Sequence, residues 1–258
     1  MIERNTILQG DSLVLMREIP DKSIDLILTD PPYAILSKTN VNAKWDNAID
    51  LRKMWAQYNR IIKDNGAILI FGQGLFGAKL MMSNPKMFRY DIIWDKNRKS
   101  NFLNARKMLM RQHEQIFVFY KKLPTYNPQM IKCAPHQRNH VRGSLRNGIT
   151  NNCYGKFEAA PATISDEKYP GTILQFPKGH SKEDWLHPTA KPIPLLAYLI
   201  RTYSNEGDIV LDPFAGSGST LIAAIEEKRD WIGMEIDEKF YNIAKKRIEN
   251  EKIQPRLF

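Results

Sequence analysis

The sequence predicts an α/β fold built on an open, mostly parallel sheet with an antiparallel edge hairpin. Three short apolar runs, at residues 25–29, 67–71 and 208–212, have the length and β-branched content of buried parallel strands. Apolar residues at helical spacing lie between them, as in residues 50–63. This alternation is typical of a sheet covered by helices on both faces. The 258 residues are enough for one large domain of this class, with or without an insertion.

The first of these runs ends in Asp30-Pro31-Pro32-Tyr33. Two consecutive prolines remove two backbone N–H donors, so neither a strand nor a helix continues there. Because a residue before proline is held extended, the Asp30 carboxylate is directed off the carboxyl end of the strand, the edge where ligands bind in open α/β sheets. A carboxylate, free carbonyls and an aromatic face together suit an exocyclic amine on a flat base. A plain Pro-Pro turn with surface side chains is the alternative.

A glycine-rich turn follows the strand that ends at Asp212, and its residues run from Pro213 to Thr220. Its glycines let the backbone approach a ligand closely. The next strand, residues 231–235, ends in Glu235, where an acid accepts hydrogen bonds from ribose hydroxyls in Rossmann-like sites. No lysine stands beside Gly218, which disfavours a P-loop, and Leu221 replaces the third glycine of a dinucleotide site.

Other segments are assigned from local pattern. Asp11 follows a short strand at residues 5–10 and either reaches a nucleoside or caps the next helix. The polar loop at residues 34–47 is interpreted as a lid. Two further strands, at residues 90–94 and 115–120, flank a basic connection and are expected to pair antiparallel.

The net charge of +10 is confined to one segment of the chain. Residues 89–146 hold thirteen Lys or Arg against three acids, whereas the remaining 200 residues are balanced. Aromatic residues are interleaved with these cations, so the segment is interpreted as a surface for a polyanion. A solvated face is the alternative.

Residues 121–185 are the least regular part, with recurrent prolines and few periodic runs. Cys133, His136, His140 and Cys153 have ligand chemistry, but their spacing matches no common zinc layout, so no metal is predicted. These two cysteines are the only ones, which favours a reducing cytoplasm over a disulfide scaffold. The first residues lack a signal-peptide layout, and no apolar run approaches the ~20 residues of a membrane span.

Asp30-Pro31-Pro32-Tyr33, the segment 187–192 (His-Pro-Thr-Ala-Lys-Pro) and the segment 212–218 together resemble motifs of the beta-type DNA amino-methyltransferases, in which the catalytic motif comes first and the cofactor loop last. The resemblance spans nearly the whole chain. It implies a Rossmann-like S-adenosylmethionine-dependent methyltransferase fold, with residues 1–120 and 186–258 as the catalytic domain and 121–185 as an inserted target-recognition region. It also implies transfer of a methyl group to the N6 amine of a flipped adenine in double-stranded DNA.

The resemblance implies a role for each motif residue. Asp30 and the Pro31 carbonyl would accept the amine hydrogens, with Pro32 in the same motif, and Tyr33 would stack on the extruded base. The residues expected at S-adenosylmethionine are Asp11, Asp30, Thr189, Lys191, Asp212, Pro213, Phe214, Gly216, Gly218, Ser219, Thr220 and Glu235. The residues expected at DNA are Lys96, Asn97, Arg98, Lys99, Asn101, Arg106, Arg138 and Arg142.

Several alternatives stay open at this stage. The N4 amine of cytosine is also exocyclic, although an acid in place of serine at position 30 favours adenine. RNA is a second alternative, because a basic surface reads the nucleic acid backbone. A catalytically silent DNA-binding relative is a third, although such a protein needs no cofactor loop. The resemblance alone suggests a homodimer, and a cytoplasmic enzyme of bacterial or phage origin, with or without a restriction partner.

Overall fold

The computed structural model describes residues 2–33, 49–100, 102–133, 166–177 and 190–253. In these ranges the strands are β1 (Thr6–Gln9), β2 (Ile24–Thr29), β3 (Ile62–Gly72), β4 (Phe88–Ser100), β5 (Arg111–Phe119), β6 (Ile131–Lys132), β7 (Glu167–Lys168), β8 (Ile173–Gln175), β9 (Ile209–Asp212) and β10 (Asp230–Glu235). The helices are α1 (Ser12–Leu15), α2 (Leu51–Ile61), α3 (Gly74–Ser83), α4 (Ile193–Tyr203), α5 (Ser219–Glu226) and α6 (Glu238–Ile253). Short 3₁₀ turns lie at Met16–Glu18 and Phe102–Asn104.

Eight strands form one sheet in the order β1-β10-β9-β2-β3-β5-β4-β8. The first five run parallel to one another, and β5 is antiparallel to both β3 and β4. The predicted α/β fold, mostly parallel with an antiparallel hairpin, is therefore confirmed. The hairpin lies one strand inside the edge, because β8 pairs parallel with β4 and covers it. A three-residue strand in an irregular region carries too little pattern to be predicted.

Helices cover both faces of this sheet, as the alternating pattern predicts. Neighbouring strand residues point to opposite faces. Val210 belongs to the apolar cluster that includes side chains of α4, α5 and α6, and Leu211 belongs to the cluster that includes side chains of α2 and α3. Both faces are apolar, which is why the parallel strands read as continuous apolar runs.

The helix boundaries follow from local chemistry. α2 begins after Asp50, whose carboxylate accepts hydrogen bonds from the backbone N–H groups of Arg52 and Lys53, at 3.0 and 3.1 Å. It ends at Ile61, two residues earlier than predicted, because Ile62 already pairs with β2. α4 begins after Pro192, which is its N-cap and whose fixed φ suits the start of a helix.

The chain divides into two compact units. The main unit comprises Met1–Asn127 and Thr172–Phe258 and contains the eight-stranded sheet. The second unit is Pro128–Gly171, in which β6 and β7 pair antiparallel and the Cys133 backbone N–H donates to the Asp166 carbonyl at 2.6 Å. The recognition region expected at 121–185 stays a prediction. No helix in the described ranges has the length and apolar character that crossing a bilayer requires.

Candidate active site

Four acids that follow parallel strands lie along one edge of the sheet. Since β1, β10, β9 and β2 are neighbours in that order and run parallel, their carboxyl ends meet at the same edge. The residues at or just after these ends are Asp11, Glu235, Asp212 and Asp30. Ligands bind at this edge in open α/β sheets, beside the point where the strand order reverses.

The ends of β2 and β9 are joined directly. The Thr29 hydroxyl donates to Asp212 Oδ1 at 2.7 Å in a buried hydrogen bond between residues 183 positions apart in the chain. At the opposite ends of the same strands, Asp25 Oδ2 accepts from the Ile209 backbone N–H at 3.0 Å. The first and last thirds of the chain therefore meet at adjacent strand ends, so the Asp30 segment directly follows the residue that holds Asp212.

A chain of alternating charges surrounds Asp30. The Lys191 ammonium forms an ion pair with the Asp30 carboxylate and a second one with Glu114 Oε2 at 3.5 Å. Glu114 Oε1 in turn accepts from Lys96 Nζ at 3.3 Å. Burial raises the pKa of Asp30, and the neighbouring Lys191 opposes that rise. The pKa of Lys191 is also raised: burial lowers it, but the attraction of Asp30 and Glu114 outweighs that effect.

Tyr33 lies folded over the same carboxylate. Its hydroxyl donates to Asp30 Oδ1, and its ring stacks on Phe76 of α3 with centroids 4.7 Å apart and planes 24° apart. Of the two prolines that separate Asp30 from Tyr33 in the sequence, Pro31 is buried and Pro32 is half-buried. The Tyr33 ring therefore lies beside the Asp30 carboxylate, and its expected stacking on a base stays a prediction.

The glycine turn has the backbone conformation that only glycine adopts easily. Gly216 and Gly218 have φ of +52° and +83°. A Cβ on Gly218 would lie 3.0 Å from the Cβ of Ala244 in α6. Arg247, also in α6, donates to the Ser217 carbonyl at 2.6 Å and to its hydroxyl at 3.0 Å, so α6 holds the turn in place.

The two acids that flank the turn have raised pKa values. Burial raises the pKa of Asp212 from 3.8 to about 6, although hydrogen bonds from Thr220, Thr29 and the Phe214 backbone oppose it. Burial likewise raises the pKa of Glu235, whose Oε2 accepts from the Gly216 backbone N–H at 2.7 Å.

The remaining predicted cofactor residues are placed as follows. Asp11 caps α1, since its carboxylate accepts from the Leu13 backbone N–H at 2.8 Å, which matches the structural alternative. Pro213, Ser219 and Thr220 are buried, and Phe214 is half-buried. Thr189 lies outside the described residues.

The predicted DNA-contacting residues divide into three groups. Asn97, Arg98, Lys99 and Arg106 are exposed on the β4–β5 hairpin and its connection. Lys96 is instead only 8% exposed and is engaged with Glu114. Asn101, Arg138 and Arg142 lie outside the described residues, as does the loop 34–47.

Glu114, Phe76 and Arg247 are parts of the site that the motifs do not reveal. Glu114 carries one recognisable signal, because it is one of only three acids in a strongly basic segment. Phe76 and Arg247 sit in ordinary helices, and only the tertiary structure shows what they contact. Cys133 is a free buried thiol, and no group of three metal-ligating side chains occurs in the part of the chain that the structure describes.

Comparison with known proteins decides the family. The DNA methylase family that groups the N6 and N4 enzymes matches residues 24–246, most of the chain. The chain belongs to this DNA methylase family. Two curated relatives of this methylase are the DNA adenine methyltransferase YhdJ of Escherichia coli (strain K12) and the type II methyltransferase M.HinfI of Haemophilus influenzae. YhdJ is 28% identical over 96% of this chain and 83% of its own length. M.HinfI is 31% identical over 97% of this chain and 70% of its own length.

Solved structures share the fold of the methylase. The M1.HpyAVI–SAM complex has a TM-score of 0.61 and 24% identity, covering 94% of this chain and 98% of its own. The PvuII DNA methyltransferase, described as cytosine-N4-specific, has a TM-score of 0.66 and 18% identity, covering 99% of this chain and 95% of its own. The expected S-adenosylmethionine-dependent methyltransferase fold is thereby confirmed.

S-adenosylmethionine is the cofactor that this family and fold imply, and the residues at the sheet edge fit it. Gly216 and Gly218 hold the turn in a left-handed conformation that suits glycine, and a Cβ at Gly218 would press against Ala244 of α6. Asp212 and Glu235 place carboxylates next to that turn, and ribose hydroxyls and a cationic group would find acceptors there.

Proposed function

We propose that this methylase transfers a methyl group from S-adenosylmethionine to the N6 amine of an adenine extruded from double-stranded DNA. The observation that carries the proposal is the hydrogen bond between Thr29 and Asp212. It joins the Asp-Pro-Pro-Tyr strand end to the strand end that carries the glycine turn. A methyl donor on the turn and an amine at Asp30 would therefore share one edge.

Asp30 and the Pro31 carbonyl are proposed to accept the two hydrogens of the amine. Because the lone pair of an adenine amine is delocalised into the ring, such acceptors favour the tetrahedral, nucleophilic geometry. The bound cofactor supplies an electrophilic methyl on a sulfonium that leaves as a neutral thioether. The amine nitrogen forms the new bond to carbon and then loses one proton, which Asp30 can take. In-line positioning supplies most of the acceleration, and no covalent enzyme intermediate is needed.

Lys191 is proposed to keep Asp30 in the ionised, accepting form. Without a neighbouring cation, burial raises the pKa of a carboxyl, so the group keeps its proton up to a higher pH and donates a hydrogen bond instead of accepting one. The expected contact of Lys191 with the cofactor stays a prediction beside this role.

Tyr33 is proposed to stack on the extruded base, because a base inside a duplex must leave its stack to be reached. Its ring already packs face to face against Phe76, so a planar base would compete for the Tyr33 face that Phe76 covers or use the opposite face.

The cofactor is proposed to lie on the turn Asp212–Thr220, with Glu235 toward the ribose. The order of the motifs, with the catalytic segment first and the cofactor turn last, supports the beta-type arrangement. Exposed Arg98, Lys99 and Arg106 are proposed to contact DNA phosphates. A homodimer and a cytoplasmic location remain part of the same proposal.

Adenine is favoured over cytosine by the acid at position 30, and YhdJ is described as an adenine methyltransferase. Nucleoside mass spectrometry separates the two bases. DNA is taken from a bacterial host without adenine methylation of its own, with and without expression of the chain. We expect N6-methyladenine only on expression. N4-methylcytosine would contradict the choice of base, and unmodified DNA would favour the silent relative. Single-molecule sequencing of the same DNA reads the target sequence.

A further inference from the structure

The β4–β5 hairpin projects past the end of the strand beside it, at the edge that carries the active site. β3 ends with Gly72 opposite Gln115, whereas β4 and β5 pair onward to Ser100 opposite Arg111. β5 runs antiparallel to β3, so its beginning lies at the carboxyl edge of the parallel strands. The connection between β4 and β5 therefore emerges on the same side as Asp30.

Two sets of contacts fix the base of this hairpin. Gln73, which follows β3, donates to the His113 carbonyl at 2.8 Å and accepts from Arg111 Nη1 at 2.7 Å. Lys96 and Glu114 connect the hairpin to Lys191, as described above. The hairpin is thus a supported arm next to the site.

The tip of this arm presents large apolar side chains to solvent. Phe102 is 73% exposed, Leu103 is 81% exposed and Leu109 is 92% exposed. Exposed apolar side chains are common when scattered singly, but here they fall within eight consecutive residues. Such a concentration marks an interaction surface.

Charge identifies the partner. Residues 96–113 contain six Lys or Arg and no acid, and all of the six except Lys96 are exposed. A second copy of this surface would bring like charges together, which disfavours self-association through the tip. A polyanion is attracted to it, and apolar side chains amid arginine and lysine are the combination with which proteins wedge open stacked bases.

We propose that Phe102 and Leu103 insert into the DNA duplex beside the target, where they occupy the space left by the extruded base. This inference rests on the proposed function and deepens it. Extrusion costs unstacking and unpairing energy, and a wedge that fills the gap offsets part of that cost. The exposed cations on either side would hold the backbone while the apolar pair enters the stack.

The test compares wild type with the double variant Phe102→Ala/Leu103→Ala on two duplexes that carry the target sequence. In one duplex the target base is paired, and in the other it faces an abasic site, so that extrusion costs less. We expect the variant to lose at least about tenfold in turnover on the paired duplex and no more than about threefold on the second. With 2-aminopurine at the target, binding of wild type should raise the fluorescence and binding of the variant should raise it much less.

Leu123→Ala is the matched control, because Leu123 is 79% exposed but follows the opposite end of β5. It should behave as wild type on both duplexes. Equal turnover of wild type and the double variant on paired DNA would overturn the wedge, as would an equal loss on both duplexes. A lower association state of the double variant in sedimentation, with normal turnover per assembled protein, would also overturn it in favour of a contact between copies. If the wild-type protein methylates none of the DNA substrates, that result would instead contradict the proposed function.

Discussion

The ammonium of Lys191 lies against the carboxylate of Asp30, although 161 residues separate them in the chain. Lys191 is 9% exposed and also contacts Glu114, so the pair sits in a charge cluster largely shielded from water. Burial raises the pKa of Asp30, and Lys191 is the main influence that lowers it. This contact therefore favours the ionised, accepting form of Asp30.

Replacing Lys191 by Met should move the pH dependence of turnover. Without the ammonium, the pKa of Asp30 rises further, so the protonated, inactive form of the enzyme extends to higher pH. Turnover should fall on the acidic side and recover as the pH is raised, so that the acidic limb of the profile shifts to higher pH. The measurement is kcat across pH for wild type and the variant.

Lys22→Met is the control for this prediction, because the Lys22–Asp64 ion pair lies on the surface, with 61% and 39% of the side chains exposed. Its pH profile should match that of wild type, since exposed ion pairs contribute little. A Lys191→Met enzyme whose acidic limb coincides with that of wild type would show that Lys191 does not control Asp30.

Gly218→Ala and Gly207→Ala form a matched pair. Both glycines have nearly the same φ, +83° and +82°. The left-handed conformation should therefore destabilise the folded state of both alanine variants by a similar amount, about 1–2 kcal/mol. Only at Gly218 does the new Cβ meet another residue, Ala244 at 3.0 Å, while nothing lies within 4 Å of it at Gly207. Gly218→Ala should therefore lower the free energy of unfolding more, and it alone should weaken S-adenosylmethionine binding.

Urea denaturation and calorimetric titration measure the two quantities. Equal losses of stability in the two variants would show that α6 yields to the added methyl group. Unchanged cofactor affinity in Gly218→Ala would remove the turn from the proposed binding site.

Asp212 should make the free protein less stable as the pH rises from about 4 to about 6. Its pKa is about 6 when folded and 3.8 as a model group, so in this window the folded state binds more protons than the unfolded state. Because one pKa unit corresponds to about 1.4 kcal/mol, this carboxyl should cost as much as about 3 kcal/mol by pH 7. Asp212→Asn should flatten that part of the curve, as measured by urea denaturation at successive pH values.

The same carboxyl should couple cofactor affinity to pH. Binding of a cationic donor favours the ionised form of Asp212, so affinity for S-adenosylmethionine should rise between pH 5 and 7, the range around its pKa of about 6. The neutral thioether S-adenosylhomocysteine is the control and should show a weaker rise. Equal pH dependence for the two ligands would mean that Asp212 does not respond to the sulfonium charge.

The parts of the site that local pattern could predict are the strand ends. Asp30, Asp212 and Glu235 each follow an apolar run, and parallel strands bring such ends to one edge. That Asp30 and Asp212 are neighbours along this edge follows from the pairing of β2 with β9. In the sequence, only the resemblance to the methyltransferase motifs indicated that these two strands meet.

The charge cluster could not be predicted in the same way. Lys96 and Glu114 lie on the paired strands β4 and β5, whereas Lys191 comes from a segment far downstream. No local pattern in the sequence indicates that these three side chains meet beside Asp30. The basic segment around Lys96 predicts a DNA contact, whereas in the structure Lys96 is buried and donates to Glu114. Residues 95–100, the polar end of β4, also lack the alternation of apolar residues that predicts a strand. They belong to β4 because they pair with β5, a contact that the local sequence does not indicate.

Asp30 is proposed to act on the amine and not on the cofactor. The direct measurement is transfer of labelled methyl groups to target DNA by wild type and Asp30→Ala, together with the affinity of each for S-adenosylmethionine. We expect the variant to lose turnover by a factor of about a thousand or more, while its cofactor affinity stays within a few-fold of wild type. Turnover within a few-fold of wild type would contradict the account.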